Sequence, residues 1–314
     1  MAARWLRRRR APEAAHGEVR PGEIPADLLQ RVRAIEIRAR RLVNDLFLGE
    51  YKAVFRGRGV EFHELRPYVP GDDVRALDWR TLARTGEPFI RRYTEDRDLT
   101  AMFVVDVSRS QAAGAEPSSK ADLAAEICAV LALAAIRNRD RVGLLLFASR
   151  PERYVRPQGG ATHVLRVVRE VLWSRPETAG TNIGAAMEYL VGVQRRRATV
   201  FLVSDFLSTG YGRELRAAAG RHDVIAIRVR EPIDSVLPRV GLAYVADPET
   251  GQELEIDTSS AGVRAAYADW VAAVDEERRH LFGTLGIDEI SLTVGEDYVP
   301  ALLRFFHRRA MVAA

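Results

Sequence analysis

The sequence predicts an α/β protein built on a doubly wound, mostly parallel sheet, with a smaller N-terminal α/β or irregular segment. Three observations carry this. From Leu99 onward, apolar β-forming runs alternate with helical patterns, the order that right-handed strand–helix–strand crossovers require. Two of those runs, AMFVVD and TVFLVSD, end on an aspartate, and in open parallel sheets ligands sit outside the carboxyl ends of the strands. Of the 314 residues 47% are hydrophobic, enough for one large core and a smaller neighbour.

Residues 1–24 carry Pro, Gly and charge without apolar periodicity and read as a flexible basic arm. Its opening MAARWLRRRR has no apolar run behind it, so it is not a secretory signal. Such a run can lie peripherally against acidic lipid or stay solvated. In the helix that follows, Leu28, Val32, Ile35, Leu42 and Leu46 form one apolar stripe on an Arg-rich surface. The rest of the segment, to residue 98, is dense in Gly, Pro, charge and aromatics. It is expected to fold by packing Tyr68, Trp79 and Phe89 against a larger neighbour, with ion pairs between its arginines and carboxylates.

The remainder, residues 99–314, forms the main domain. Strand LTAMFVVD leads to a helix over 119–138, where Ser119 and Asp122 form a capping pair. Strand RVGLLLFA, an edge strand PERYVRPQ and a helix over 162–172 follow. Next come helix IGAAMEYLVGV, strand ATVFLVSD, a short helix over 213–219 and strand HDVIAIRV. The tail adds a hairpin around DPETG, the long helix of SAGVRAAYADWVAAVDEERRHLF, strand IDEISLTV and a last helix that packs Leu302, Leu303, Phe305 and Phe306 on the sheet.

Charge is uneven. Residues 1–98 hold 21 Lys and Arg against 16 Asp and Glu, leaving 26 against 27 for the remainder. Only Lys52 and Lys120 are lysines, and no basic run alternates with a stacking aromatic series, so nucleic-acid binding is not expected. No apolar stretch is long enough for a membrane span. The single cysteine, Cys128, lies in an apolar helix and fits a reducing, cytoplasmic compartment.

The chemistry concentrates in AMFVVDVSRS. A buried strand stopping on Asp-x-Ser-x-Ser presents three hard oxygen donors, Asp106, Ser108 and Ser110, on one turn, a cradle for a small divalent cation such as Mg2+. Thr181 and Asp205 can complete it. Each also has a plainer reading: Asp106 can cap its loop, Ser108 and Ser110 can start turns, Thr181 can be a helix N-cap, and Thr178 or Thr162 can take its place as ligand. No G-x-S-x-G or P-loop occurs, and His63 and His163 have no motif around them. Phosphoaspartyl enzymes need a second acid two residues after the first; here that position is Ser108. A binding module rather than an enzyme is expected, the alternative being a metal-dependent hydrolase using Asp106 and Asp205.

The order DxSxS, Thr, Asp over residues 99–230 resembles the metal-ion-dependent adhesion site of von Willebrand factor A domains, on a Rossmann-type sheet. The succession GxEF, RPYVPGDDVRALDW, AR and IRRY is more specific. It resembles the signature of a bacterial family known as domain of unknown function fifty-eight, whose members join such a segment to a von Willebrand A-like domain. The resemblance implies Mg2+, or Mn2+, held by Asp106, Ser108, Ser110, Thr181 and Asp205, gripping an acidic side chain of a partner protein. It also implies an adaptor role beside a MoxR-type AAA+ ATPase in complex assembly or maturation. In the PGDD loop, Asp72, Asp73 and Arg75 are candidates for a partner-binding or metal-supporting surface, or else for an ion-paired structural turn. Two departures stand out: Phe206 follows Asp205 where many such sites have glycine, and Arg109 adds a positive charge inside the loop, where it faces solvent or replaces the cation by pairing with Asp106.

Overall fold

A computed structural model of the chain describes residues 5–7, 26–44, 49, 51, 54–55, 61–94, 99–112, 119–174, 176–246 and 253–313. The chain separates into two compact units, Phe55–Leu99 and the remainder. In chain order the elements are β1 (Trp5–Arg7), α1 (Ala26–Leu42), β2 (Glu61–Pro67), a 3-10 turn (Val74–Ala76), α2 (Trp79–Thr85), β3 (Phe89–Thr94), β4 (Thr100–Asp106) and α3 (Arg109–Ala112). There follow α4 (Lys120–Arg137), β5 (Arg141–Phe147), β6 (Pro151–Gln158), α5 (Ala161–Trp173), α6 (Ile183–Val193), β7 (Thr199–Ser204), α7 (Gly212–Arg221) and β8 (Asp223–Arg230). The chain closes with a 3-10 turn (Pro232–Asp234), β9 (Leu242–Ala246), β10 (Glu253–Asp257), α8 (Ala261–Leu285), β11 (Asp288–Thr293) and α9 (Val299–Ala313).

The larger unit is a mixed α/β fold around a six-stranded sheet of order β11-β8-β7-β4-β5-β6. All neighbours pair in parallel except β6, which runs antiparallel to β5 at the edge. Its outer position explains its composition: PERYVRPQ mixes charged with apolar residues and is mostly half-buried or exposed, whereas β4, β5 and β7 are buried along almost their whole length. The chain leaves β4 toward β5 and β6, then returns to place β7 on the other side of β4. Strand order therefore reverses between β4 and β7, the place where open α/β sheets bind ligands.

Helix α4 is apolar on nearly every side because it is buried between other layers. It starts at a reciprocal cap in which Ser119 Oγ accepts from Asp122 N and Asp122 Oδ2 accepts from Ser119 N, as expected from that pair. Cys128 is fully buried in it, and burial pushes its thiol well up, leaving it inert. Leu302, Phe305 and Phe306 of α9 are buried as well. The expected hairpin is β9–β10, antiparallel in register, with β1 added on the other side of β9. Thus three residues of the N-terminal arm are strand; the rest of that arm, and the DPETG turn, lie outside the described residues. No helix among the described residues is long and apolar enough to cross a membrane.

The segment expected over residues 25–98 divides at 54/55. Helix α1 belongs to the larger unit, where it packs on α4 and α5 and pairs Arg31 with Asp122 and Arg38 with Glu126 at 2.9 Å. Its charged stripe is thus partly consumed by neighbours rather than wholly solvated. The smaller unit is a β2–β3 ribbon closed by the 3-10 turn and α2. Asp78 caps α2, accepting from Arg80 N at 3.2 Å and Thr81 Oγ1 at 2.8 Å. Trp79 is 63% exposed, contrary to the expected packing: it is the first residue of α2, where the cap and not the ring fixes the helix.

Candidate functional site

Because β4 and β7 pair in parallel with Val105 opposite Val203, Asp106 ends its strand level with Ser204. Ser204 Oγ donates to Asp106 Oδ2 at 2.7 Å. The other carboxylate oxygen, Oδ1, accepts from Ser108 N at 3.0 Å, which turns the chain so that Ser108 Oγ and Ser110 Oγ lie 2.9 Å apart. Asp205, one residue beyond β7, is buried too; its Oδ1 accepts from Leu207 N at 3.2 Å. Burial, followed by the nearby Asp205 charge, pushes Asp106 up to about 7 against three hydrogen bonds that favour its ionised form.

Phe206 has φ 56, in the left-handed region where glycine is the unstrained choice. Glycine is therefore natural there, and this chain holds the turn differently. The Phe206 ring is buried edge-on against Phe282 at 5.3 Å and tilted against Tyr211 at 6.4 Å. Aromatic packing offsets the backbone cost, so the departure from glycine leaves the turn intact.

Thr181 stands on the loop before α6, partly buried. That loop is anchored at the sheet edge by Asn182 N donating to Ala148 O at 2.8 Å, just past β5. Glu152 of β6 holds its far end, accepting from Glu177 N, Thr178 N and Thr178 Oγ1 at 2.9, 3.2 and 3.2 Å. The N-cap of α6 is Asn182 and not Thr181. Of the competing threonines, Thr178 is engaged with Glu152 and Thr162 is exposed on α5.

The positive charge at the site is not Arg109, which is exposed. It is Lys120, the first residue of α4, fully buried. Its Nζ lies 3.1 Å from Asp205 Oδ2 and 2.8 Å from Asp234 Oδ2. Burial alone would lower this ammonium, but Asp205 and then Asp234 outweigh it and hold it above its ordinary value. Burial raises Asp234 despite Lys120. Glu231, directly after β8, is pushed up by burial to about 7. Three adjacent strands, β4, β7 and β8, thus run into Asp106, Asp205 and Glu231.

The PGDD loop belongs to the smaller unit. Gly71 has φ 109 at the turn. Asp72 accepts from Val69 N at 2.9 Å and Arg66 Nη2 at 2.6 Å, bonds that hold its carboxyl below the usual range. Asp73 Oδ1 accepts from Arg75 N at 2.9 Å, and both residues are exposed. Asp72 therefore closes the turn, while Asp73 and Arg75 present their side chains outward from it.

The family model described as "Protein of unknown function DUF58" matches residues 64–277. The chain belongs to that family. DUF58 relatives include uncharacterised proteins of Mycobacterium bovis and Mycobacterium tuberculosis, each 30% identical over 301 residues, covering 95% of this chain and 93% of the relative. Among solved structures, the conserved hypothetical protein BatB from Bacteroides thetaiotaomicron is similar at 16% identity and TM-score 0.39, over 68% of this chain and 99% of that one. An aerotolerance-related membrane protein from Bacteroides fragilis is similar at 14% identity and TM-score 0.41, with the same coverage.

Could this DUF58 site hold a cation? Among the described residues no group of three or more His, Cys, Asp and Glu is arranged to hold a metal, so a cation here would have to draw on hydroxyls as well. Ser108 Oγ and Ser110 Oγ share a hydrogen bond at 2.9 Å, a separation that adjacent ligands of octahedral Mg2+, with oxygens at roughly 2.1 Å, would also take. Two buried carboxylates, Asp205 and Asp234, contact one ammonium, with Glu231 close to Asp234 and Asp106 close to Asp205. Glu231 Oε1 is buried without a partner among the described residues, and native interiors seldom leave such an atom unmatched without a ligand or water. Hard oxygen donors with negative charge fit Mg2+ or Mn2+.

Sequence reasoning missed Lys120, Ser204, Glu231 and Asp234. A signal existed for two of them. Lys120 is one of two lysines and opens an otherwise apolar helix, and VIAIRVRE is a third apolar run ending on an acid.

Proposed function

We propose that the larger unit is a von Willebrand A-like, metal-dependent protein-binding module. Asp106, Ser108 and Ser110 hold Mg2+ or Mn2+, with Thr181 and Asp205 completing the surround. The observation that carries this reading is a buried Asp106 beside a second buried carboxylate, with two hydroxyls at cation-ligand spacing, at the strand-order reversal. A divalent ion bound there supplies an open electrophilic position for one oxygen of a partner's Asp or Glu. The chain's own residues do the positioning: Ser204 and Ser108 N orient Asp106, while Lys120 and Leu207 N fix Asp205. Binding rather than hydrolysis follows from Ser108 standing where a second acid would be required. The family resemblance points to a MoxR-type AAA+ ATPase as partner, in the cytoplasm, and the exposed Asp73 and Arg75 offer a second contact surface.

The test is capture of the purified ATPase by the full chain with Mg2+ and with chelator. Retention with Mg2+, loss with chelator, and loss in folded Asp106→Ala support the reading. Equal capture in all three sinks it. Turnover of phosphoester or peptide substrates that vanishes in Asp106→Ala would replace it with the hydrolase alternative.

A further inference from the structure

The site contains its own cation. Lys120, the first residue of α4, reaches Asp205 Oδ2 at 3.1 Å with no exposure to solvent. A buried ammonium is tolerated only where carboxylates surround it, and Asp205 and Asp234 do so. Asp234 is held in turn by the backbone, its Oδ2 accepting from Glu231 N at 2.8 Å while its own N donates to Glu231 O at 3.0 Å. Lys120 is therefore clamped from the β8 side and cannot be drawn away without breaking that turn.

Asp205 consequently has both oxygens engaged, Oδ1 by Leu207 N and Oδ2 by Lys120. Asp106 has no such charge partner among the contacts described, only neutral donors. The two strand-end aspartates are thus chemically unequal: one is compensated within the protein and the other is not.

We propose that Lys120 is a positioning residue and resident counter-ion that competes with a divalent cation for Asp205, so that the cation rests mainly on Asp106, Ser108 and Ser110 and binds more weakly than the carboxylate count alone would give. This deepens the metal-binding reading and rests on it. Lys120 keeps the carboxylates assembled in the absence of metal and sets the threshold of metal concentration at which the site fills.

The test uses a charge-neutral pair of changes in the full chain. Lys120→Met with Asp234→Asn removes one positive and one negative charge, leaving the total unchanged. Mn2+ binding is then measured by calorimetry against wild type, with urea unfolding to establish that the variant is folded. Competition predicts binding about tenfold tighter, the order expected when one close charge is removed from a shared carboxylate. An unchanged Kd overturns the inference while leaving the metal site standing. Mn2+ binding by the variant but not by wild type supports the inference in its strongest form, and binding by neither overturns it together with the metal reading. A second measurement keeps Lys120 in place: the chain has only Lys52 and Lys120, so lysine-selective 15N labelling gives two side-chain ammonium signals. Mg2+ is expected to shift the Lys120 signal, and not in Asp106→Asn; a signal that stays still while Mg2+ binds overturns the inference.

Discussion

Asp106→Asn in the metal-free protein is the most demanding perturbation of this site. Burial and the Asp205 charge raise the acid from 3.8 to about 7. A raised carboxyl contributes stability that is complete below its unfolded value and is lost as pH climbs through its folded one. Between pH 4 and pH 8 the shift of about three units is worth about 4 kcal/mol, at about 1.4 kcal/mol per unit. Asparagine cannot ionise and removes that loss. It also replaces one acceptor oxygen by an amide donor, so the bond from Ser108 N or Ser204 Oγ is disturbed at a cost of about 1 kcal/mol. The variant should therefore be less stable than wild type by about 1 kcal/mol at pH 4 and more stable by about 3 kcal/mol at pH 8. Urea unfolding in chelator at both pH values measures the crossing, and Mg2+ should restore wild type alone at pH 8. Parallel stability profiles for the two proteins would refute the reasoning, because they would mean that Asp106 is charged at no cost.

Other outcomes follow from neighbouring contacts. Phe206→Gly gains about 1 kcal/mol of backbone relief at φ 56 but gives up a buried ring worth roughly 3–5 kcal/mol, so urea unfolding should show a net loss of about 2–4 kcal/mol. Glu152→Ala releases three donors of the Thr181 loop and should speed amide exchange at residues 177–178 and weaken Mn2+ binding several-fold; unchanged binding would remove Thr181 from the ligand set. Asp72→Ala should lower the melting temperature by opening the turn to Val69 N and Arg66, whereas Asp73→Ala with Arg75→Ala should leave melting unchanged and weaken capture of the ATPase. His222 is buried, and burial lowers its pKa with no partner for either ring nitrogen among the described residues. Stability is then full above the ordinary histidine value and falls as pH drops below it, and His222→Leu should flatten that acid limb in thermal melts.

What the sequence made legible was whatever depends on local pattern. Alternating runs gave the strands and helices, Ser119 with Asp122 gave the α4 cap, and strand-end aspartates located the edge where Asp106 and Asp205 meet. Long-range selection was not legible. Asn182 rather than Thr181 caps α6 because the loop is hung from Ala148 and Glu152, partners about 30 residues away in sequence. The boundary of the smaller unit moved to residue 55 because the α1 stripe finds its partners on α4 and α5, beyond the intervening segment.

The same limit explains why Arg109 drew attention and Lys120 did not. Arg109 is next to the motif in sequence, yet an arginine one residue past Ser108 begins a short helix and projects its long charged chain into water, where it is well solvated. Lys120 is fourteen positions from Asp106 in sequence and opens a helix that is otherwise apolar on nearly every side. Its charge can be buried there only because Asp205 and Asp234 arrive from two other strand ends. A lone lysine at the start of an apolar helix, facing strands that end in acids, is thus a better sign of an internal counter-ion than a charge inside the motif. Burying it requires long-range partners, and exposing an arginine requires none.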